Sequence, residues 1–147
     1  EVVADQGYAD SNQAGVVGDA ILAQYPDVDA IYATWDSPAE QIIESAVAVG
    51  RDDLIVTTVD LGDSSARIMA ENGMIKAIGS PRSYEDGNAI AMSALYALID
   101  KDLGSGYIAT PTMGVTSENL LDAYKTIFNT EPDSAIVDLW NENTGSK

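Results

Sequence analysis

The sequence predicts an α/β fold in which a parallel sheet is built from repeated strand–helix–strand units. Short apolar segments rich in β-branched residues recur at intervals of about 20 to 27 residues, and a segment with helical spacing of apolar residues follows each of them. Such units connect parallel neighbours through right-handed crossovers. The near-continuous apolar character of the strands is typical of strands that helices cover on both faces.

Length and composition limit the classes of protein. With 147 residues, of which 46% are hydrophobic, the chain suits one folded domain and shows no linker that would divide it. The absence of cysteine and histidine excludes disulfides, thiol nucleophiles, zinc sites of the Cys/His kind and imidazole-based catalytic dyads or triads.

The charge is strongly acidic. Seven basic residues stand against twenty-four carboxylates, which gives a formal net charge of −17. Such a surface repels phosphate backbones and anionic lipid, so we expect no nucleic-acid or membrane-surface partner. From these residues we expect neither a membrane-spanning segment nor a signal peptide. Because it opens directly on a strand-like segment, we expect it to be a piece of a longer protein.

The first half of the chain is predicted to alternate strictly between strand and helix. A strand at 2–4 precedes a helix at 10–25, which Pro26 ends. A second strand follows at 30–34 and a second helix at 38–49. A third strand at 54–59 is the most β-branched of the chain.

The second helix has a strong start signal. Ser37 suits the N-cap, Pro38 the first helical position, and Glu40 would complete a capping box three residues on. This cap would leave Trp35 and Asp36 free at the carboxyl end of a strand, where open α/β sheets bind ligands.

The second half continues the pattern and then departs from it. We expect, in order, a helix at 64–72, a strand at 74–78, a long helix at 84–100, an extended segment at 107–115, a helix from a Ser117 cap to 128, and a polar, irregular tail at 131–147. The helix at 84–100 is apolar around much of its circumference, which indicates neighbours on more than one side.

Polar and aromatic side chains follow the predicted strands at the same rim of the sheet. An aromatic surface with nearby carboxylates and amides is the chemistry of a sugar or polyol site, because carboxylates accept pairs of hydroxyl hydrogen bonds and an indole packs on the C–H face of a sugar ring. For any one residue, a role in capping or core filling is an equal alternative. The candidate ligand-binding residues are Tyr8, Trp35, Asp36, Asp60, Ser80 and Arg82.

Enzymatic alternatives are less well supported. Two rim carboxylates could form a glycosidase pair or a phospho-acceptor site, but no nucleophile or metal cluster accompanies them. Glycine-rich phosphate-binding motifs are absent. The segment 100–104 faintly resembles a calcium loop, yet Pro111 stands where the bidentate Glu is needed. We therefore expect no catalytic residue, no metal and no cofactor.

Four segments together resemble the type I periplasmic sugar-binding proteins that are similar to ribose-binding protein. They occur in the order and spacing of that family over about residues 1–130, and they are YPDVDAIYATWD at 25–36, VTTVD at 56–60, ENGMIKA at 71–77 and PTMGVT at 111–116.

The resemblance implies roles for the candidate residues. The strand ends at Trp35, Asp36 and Asp60 would contact the sugar, an aromatic at Tyr8 would wall the site, and a polar residue near 80–81 would contribute at the hinge. Trp35 stands where ribose-binding relatives carry an amide, and Pro81 stands where they carry a glutamine, which makes ribose itself a poorer candidate.

The resemblance also implies a Rossmann-like C-terminal lobe at 1–130, in which 84–115 includes the segment that crosses to an N-terminal lobe, followed by a tail at 131–147. The N-terminal lobe has no counterpart here, nor have the first strand and helix of this lobe. An isolated chain would leave the 84–100 helix uncovered and could pair as a homodimer.

The function implied is non-catalytic capture of a sugar or polyol for an ABC importer, with the importer's membrane subunits as partners and a periplasmic or extracellular location. The alternative is the effector-binding core of a LacI-type transcription regulator, which shares the fold. A regulator would need a basic helix-turn-helix segment upstream, and this acidic chain shows none.

Overall fold

The computed structural model describes residues 1–144. After a short 3₁₀ turn at Ser11–Gln13, its elements are α1 (Ala14–Gln24), β1 (Ala30–Tyr32), α2 (Asp36–Ala48), β2 (Ile55–Val59), α3 (Asp63–Ala70), β3 (Ile75–Pro81), α4 (Ser83–Leu98), β4 (Thr112–Val115), α5 (Leu120–Phe128) and α6 (Ser134–Asn143). No helix within these residues has the length and apolar character needed to cross a bilayer.

The four strands form one sheet in the order β1-β2-β3-β4. The first three are parallel and are joined by helices, which confirms the predicted α/β class. The fourth strand runs antiparallel to β3, with Gly114 opposite Gly79. The sequence predicted only that this segment is extended. Helix α4 lies between β3 and β4, but its main contacts are with α5, so this connection is not the strand–helix–strand crossover that joins parallel strands.

Helices cover one face of the sheet. On that face Ile31 is in register with Val56, and Thr58 with Ile78, and all four are buried. Helix α2 packs on β2 and α3 packs on β3, while α1 packs on α2. We call this side the covered face.

The opposite side, here called the open face, exposes apolar residues. Tyr32, the last residue of β1, is 63% exposed, and Ile55, the first residue of β2, is 42% exposed. The prediction that the strands are buried on both faces is therefore wrong for the described residues. Successive side chains of a strand point to opposite faces of the sheet, so every second one points to the open face, which no described helix covers.

Helix α4 shares this lack of cover. None of its residues is buried, and Leu98 is 83% exposed. Its main contacts are with α5. The apolar surface of this helix is therefore left uncovered within the described residues, and its predicted need for neighbours on more than one side stays a prediction.

The strand predicted at 2–4 is wrong. Residues 1–8 form no helix or strand, and Val2 and Val3 are exposed. A strand requires a hydrogen-bonded neighbour, and within the described residues no backbone hydrogen bond joins this segment to β1.

The cap predicted for α2 is also wrong. The helix begins at Asp36, two residues earlier than expected, and the extended residue Trp35 occupies the N-cap position. The Asp36 carboxylate accepts a hydrogen bond from the Ser37 backbone N–H at 2.8 Å. A carboxylate in the first turn is favourable at the positive end of a helix, so Asp36 stabilises this helix start although it is not the N-cap residue.

Helix α5 begins at Leu120 instead of following a Ser117 cap. Asn119 occupies the N-cap position, and its side-chain oxygen accepts from the Thr116 backbone N–H at 2.8 Å. The local turn therefore uses the amide of Asn119 and not the hydroxyl of Ser117.

The irregular tail predicted at 131–147 is wrong for residues 134–143, which form α6. Asp133 caps this helix by accepting from the Ala135 N–H at 2.8 Å, and its carboxylate also pairs with Arg67 at 3.0 Å. Ile136 is fully buried in the core, and α6 packs on α3. Although the segment is polar overall, it forms an amphipathic helix whose apolar side faces the core. Residues 145–147 of the predicted tail lie outside the described residues.

Candidate functional site

The candidate site lies along the rim where β1, β2 and β3 end. In a parallel sheet the carboxyl ends of neighbouring strands lie at the same edge, so short segments at 33–36, 60–62 and 80–82 are brought close together by the fold. Tyr8 reaches this rim from the N-terminal segment.

The aromatic part of the site is built from Tyr8 and Trp35. Their ring centroids are 5.9 Å apart in an edge-to-face arrangement, which is a favourable geometry for two aromatic rings. The hydroxyls of Tyr8 and Thr34 hydrogen-bond to one another and fix the Tyr8 ring. Trp35 is 38% exposed. Its indole is therefore supported from one side and accessible from the other.

The Asp36 carboxylate lies between the starts of two helices. One oxygen accepts from the Ser37 N–H in α2, and the other points at Gly62, the N-cap residue of α3. A Cβ atom at Gly62 would lie 2.6 Å from that oxygen. A side chain at position 62 would therefore push the Asp36 carboxylate aside. As it stands, this carboxylate lies beside two helix N-termini that favour its negative charge.

Asp60 follows β2 directly and is exposed. Its backbone is left-handed, with a φ of 65°, and its N–H donates to the Gly79 carbonyl at 3.0 Å. Aspartate tolerates this conformation better than most residues, because its short polar side chain can bond locally. The turn ends the strand and leaves the carboxylate at the rim.

The structure places Ser80 inside the protein. Its side chain is 1% exposed, and its hydroxyl accepts from the Leu61 N–H and donates to the Pro81 carbonyl, each at 3.1 Å. Both bonds are internal, so Ser80 ties β3 to the turn after β2. In this structure it positions the rim and presents no hydroxyl at the surface.

Arg82 pairs with a neighbouring residue of its own helix start. Its guanidinium forms a salt bridge with Glu85 in the first turn of α4. Among the described residues, Arg82 Nε, Glu85 Oε2 and Asp86 Oδ1 are buried without a hydrogen-bond partner. The structure therefore brings Tyr8, Trp35, Asp36 and Asp60 to the rim but sets Ser80 beneath it and Arg82 at the start of α4.

The roles of two rim residues were not predicted from the sequence. Thr34 supplies the hydroxyl that holds Tyr8, and its position directly before Trp35 was the available signal. Gly62 supplies the space that Asp36 occupies, and no local signal marks it, because the two residues are distant in sequence. Within residues 1–144, no cluster of three or more acidic, histidine or cysteine side chains could hold a metal ion.

A search of protein-family models finds no match, and no curated protein matches the sequence. Solved structures do match. One is a 5-methylthioribose transporter solute-binding protein from Thermotoga lettingae, with a TM-score of 0.73 and 19% identity; the match covers 97% of this chain and 50% of that one. Another is GanP, a glucose-galactose binding protein from Geobacillus stearothermophilus, with a TM-score of 0.66 and 22% identity; the match covers 76% of this chain and 40% of that one. The chain has the fold of a type I periplasmic binding-protein lobe.

An ABC transporter solute-binding protein from Agrobacterium vitis, solved with α-D-tagatopyranose, is similar to the same extent (TM-score 0.73, 19% identity, 84% of this chain and 42% of that one). The chain thus spans half or less of the length of each of these proteins. At these identities the likeness establishes the fold of this lobe. It agrees with the family resemblance and with the expected similarity to one half of such a protein.

Proposed function

We propose that this chain binds a sugar or polyol without catalysis, as part of the solute-binding component of an ABC importer. The observation that carries the proposal is the rim itself, where a half-exposed indole supported by Tyr8 lies next to the fixed carboxylate of Asp36. An exposed indole covers the C–H face of a sugar ring, and a carboxylate accepts two hydroxyl hydrogen bonds.

The solved neighbours support the same class of ligand. One was solved with 5-methylthioribose, one is a glucose-galactose binding protein, and one was solved with α-D-tagatopyranose. These are ring sugars that expose C–H and hydroxyl groups together. All three are solute-binding or sugar-binding proteins, which favours a non-enzymatic role and a periplasmic or extracellular location for this chain as well.

The sugar site of this chain is expected to be weak alone. The similarity covers half or less of each neighbour. If the ligand is closed between two lobes, this chain supplies only one of the two sides of the site. Millimolar affinity corresponds to about 4 kcal/mol of binding free energy, which one aromatic contact and a few hydrogen bonds can supply.

Saturation-transfer NMR suits this affinity range, with glucose, galactose, tagatose, arabinose and allitol tested separately at about 10 mM. The chain has two tryptophans, so the Trp140→Phe variant leaves Trp35 as the sole indole signal. We expect at least one sugar to receive saturation and to shift the Trp35 indole resonance. In Trp35→Ala, with the fold retained, we expect the saturation of that sugar to be lost. No saturation of any of these sugars would contradict the proposal.

Asp60 provides a second test. The Asp60→Asn variant should keep the fold, because asparagine also tolerates a positive φ. It should weaken binding several-fold, because a neutral acceptor makes the weaker hydrogen bond. Asp52→Asn is the matched control, since Asp52 is an exposed carboxylate before β2, at the opposite end of that strand. Equal binding by the two variants would remove Asp60 from the site.

A further inference from the structure

The turn from β2 to α3, residues 60–63, lies next to both carboxylates of the rim. It begins at Asp60, whose left-handed backbone ends the strand, and it includes Gly62, against which the Asp36 carboxylate lies. A displacement of this turn would carry Asp60 with it and would change the space that Asp36 occupies. The contacts that hold the turn therefore decide how the two carboxylates are placed relative to one another.

The middle of the turn is held from inside the protein by two serine hydroxyls. The Leu61 N–H donates to the Ser80 hydroxyl at 3.1 Å, and the Gly62 N–H donates to the Ser65 hydroxyl at 2.9 Å. The Ser65 hydroxyl in turn donates to the Gly62 carbonyl at 3.1 Å. Both serines are buried, so these bonds are shielded from water. Neither of them reaches the last residue of the turn, Asp63.

That last residue is held by a distant helix. Asp63 is the first residue of α3, and its Oδ1 atom accepts from the Tyr124 hydroxyl of α5 at 2.6 Å. A hydrogen bond to a carboxylate at this distance belongs to the short, charge-assisted class. Within residues 1–144 no salt bridge involves Asp63, so Tyr124 is the side chain that anchors it.

The Tyr124 hydroxyl can serve as a fixed point because its ring is confined. The side chain is 8% exposed, and its ring centroid lies 4.6 Å from that of Phe128, one turn later in α5. Helix α5 is itself fixed in the core, where Ile127 is fully buried. The bond between Tyr124 and Asp63 therefore joins the outer end of the turn to a well-packed part of the covered side.

We propose that Tyr124 is a positioning residue of the rim. Through Asp63 it holds residues 60–63 in place, and in this way it keeps Asp36 and Asp60 in the arrangement that would bind the hydroxyls of a sugar. Its effect on sugar binding rests on the proposed function, whereas its effect on the turn is a property of the free chain. The two effects are therefore tested separately.

Hydrogen exchange of single amides, read by NMR without any ligand, tests the effect on the turn. Tyr124→Phe removes only the hydroxyl. We expect the Leu61 and Gly62 amides to exchange about fivefold faster in this variant, which is the factor that corresponds to one lost hydrogen bond.

The matched control is Ile127→Val in the same helix. It lowers the stability of the fold by shortening a fully buried side chain, but it leaves the tyrosine hydroxyl in place. The Val56 amide in the centre of the sheet reports global unfolding, because it is bonded to the Met74 carbonyl and its residue is fully buried. In the control, the amides of the turn should be accelerated no more than that of Val56.

Conservative variants of Asp63 separate its bond from its charge. Asp63→Asn keeps an oxygen that accepts from the Tyr124 hydroxyl, so the turn amides should stay slow. Asp63→Ala removes the acceptor and should reproduce the acceleration seen in Tyr124→Phe. The double variant with Tyr124→Phe and Asp63→Ala should be no faster than either single variant, because both remove the same bond.

The same variants then test the effect on binding. With a sugar that receives saturation from the wild-type chain, Tyr124→Phe should weaken binding several-fold, and Ile127→Val should leave it unchanged. If the wild-type chain saturates no sugar, the proposed function fails, and the amide comparison still decides whether Tyr124 holds the turn.

Two results would overturn the proposal. Equal acceleration of the Leu61 and Gly62 amides in Tyr124→Phe and Ile127→Val would show that the bond to Asp63 does not hold the turn. Unchanged sugar binding by Tyr124→Phe, where the wild type binds, would show that this bond has no part in positioning the rim.

Discussion

The two faces of the sheet are built from the same strands but have different surroundings. On the covered face, Val56, Ile75 and Ile78 lie under α2 and α3 and are almost wholly buried. On the open face, Ile55 and Tyr32 belong to equally apolar strands and remain in contact with solvent. The apolar composition of a strand therefore predicts that both faces of the sheet are buried, but it does not show whether an element covers each face.

Helix α4 repeats this contrast among the helices. Helix α5 buries Leu120, Ala123 and Ile127 completely, whereas α4 buries no residue. Contiguous exposed apolar surface marks a place where another element or another molecule packs. The open face and α4 are thus two surfaces whose apolar residues indicate a need for neighbours.

The largest effect should come from equal substitutions on the two faces. Ile75→Ala removes a side chain that is 1% exposed, and it should lower the free energy of unfolding by about 2–5 kcal/mol, as for other buried Ile truncations. Ile55→Ala, at a position that is 42% exposed, should cost less than about 1 kcal/mol. Urea denaturation of both variants measures the difference. Equal losses would show that the open face is covered in solution.

The next effect concerns association. We expect the chain to pair through α4, and the double substitution Leu95→Asp and Leu98→Asp should convert dimer to monomer, because charge on an apolar interface opposes burial. Light scattering over a concentration series measures the mass. Leu103→Asp, at an exposed position in the loop after α4, is the control and should leave pairing intact. A wild-type chain that is monomeric at every concentration would contradict the pairing.

A smaller, pH-dependent effect belongs to the covered side, where α5 is bonded to α3. The Tyr124 hydroxyl donates to Asp63 Oδ1 at 2.6 Å, and burial first, then this bond, raises the pKa of Tyr124 to about 12. The folded pKa exceeds the unfolded value near 10, so this stabilisation is complete below about pH 10 and is lost as pH rises towards 12.

Tyr124→Phe should therefore be about 1 kcal/mol less stable at pH 8, and it should lose less stability than the wild type between pH 10 and 12. Denaturant midpoints across this range measure both quantities. Tyr107→Phe, which changes a fully solvated tyrosine, should follow the wild type. Parallel curves for Tyr124→Phe and wild type would show that the bond is not present in solution.

The smallest effect is expected from salt, which acts on both faces. Seven basic groups cannot pair twenty-four carboxylates, so screening should reduce self-repulsion and raise the melting temperature by a few degrees. The range from about 0.01 M to 1 M is informative because the screening length falls roughly tenfold across it. A melting temperature that stays flat or falls would remove the argument that charge limits the stability of this chain.

Much of the candidate site could be predicted, and its limits are instructive. Trp35, Asp36 and Asp60 were expected at strand ends, and each lies at the rim, because β1 and β2 end where the local apolar pattern ends. The role of Ser80 was not predictable. Its hydroxyl turns inward to Leu61, which is nineteen residues away in sequence and becomes its neighbour only when β2 and β3 pair. Whether these residues bind a sugar stays a prediction.

The sequence alone determined the alternation of strands and helices from α1 to α4 and the amphipathic character of α5. Both follow from hydrophobic periodicity, which is a local property of a few neighbouring residues. The tertiary structure decided the antiparallel direction of β4, the inward stripe of α6 at Ile136, and the failure of residues 2–4 to form a strand. Each of these depends on which distant segment supplies a hydrogen-bonding edge or an apolar surface. The local hydrophobic pattern predicts that a residue is buried against a neighbour, but only the tertiary structure shows which neighbour that is.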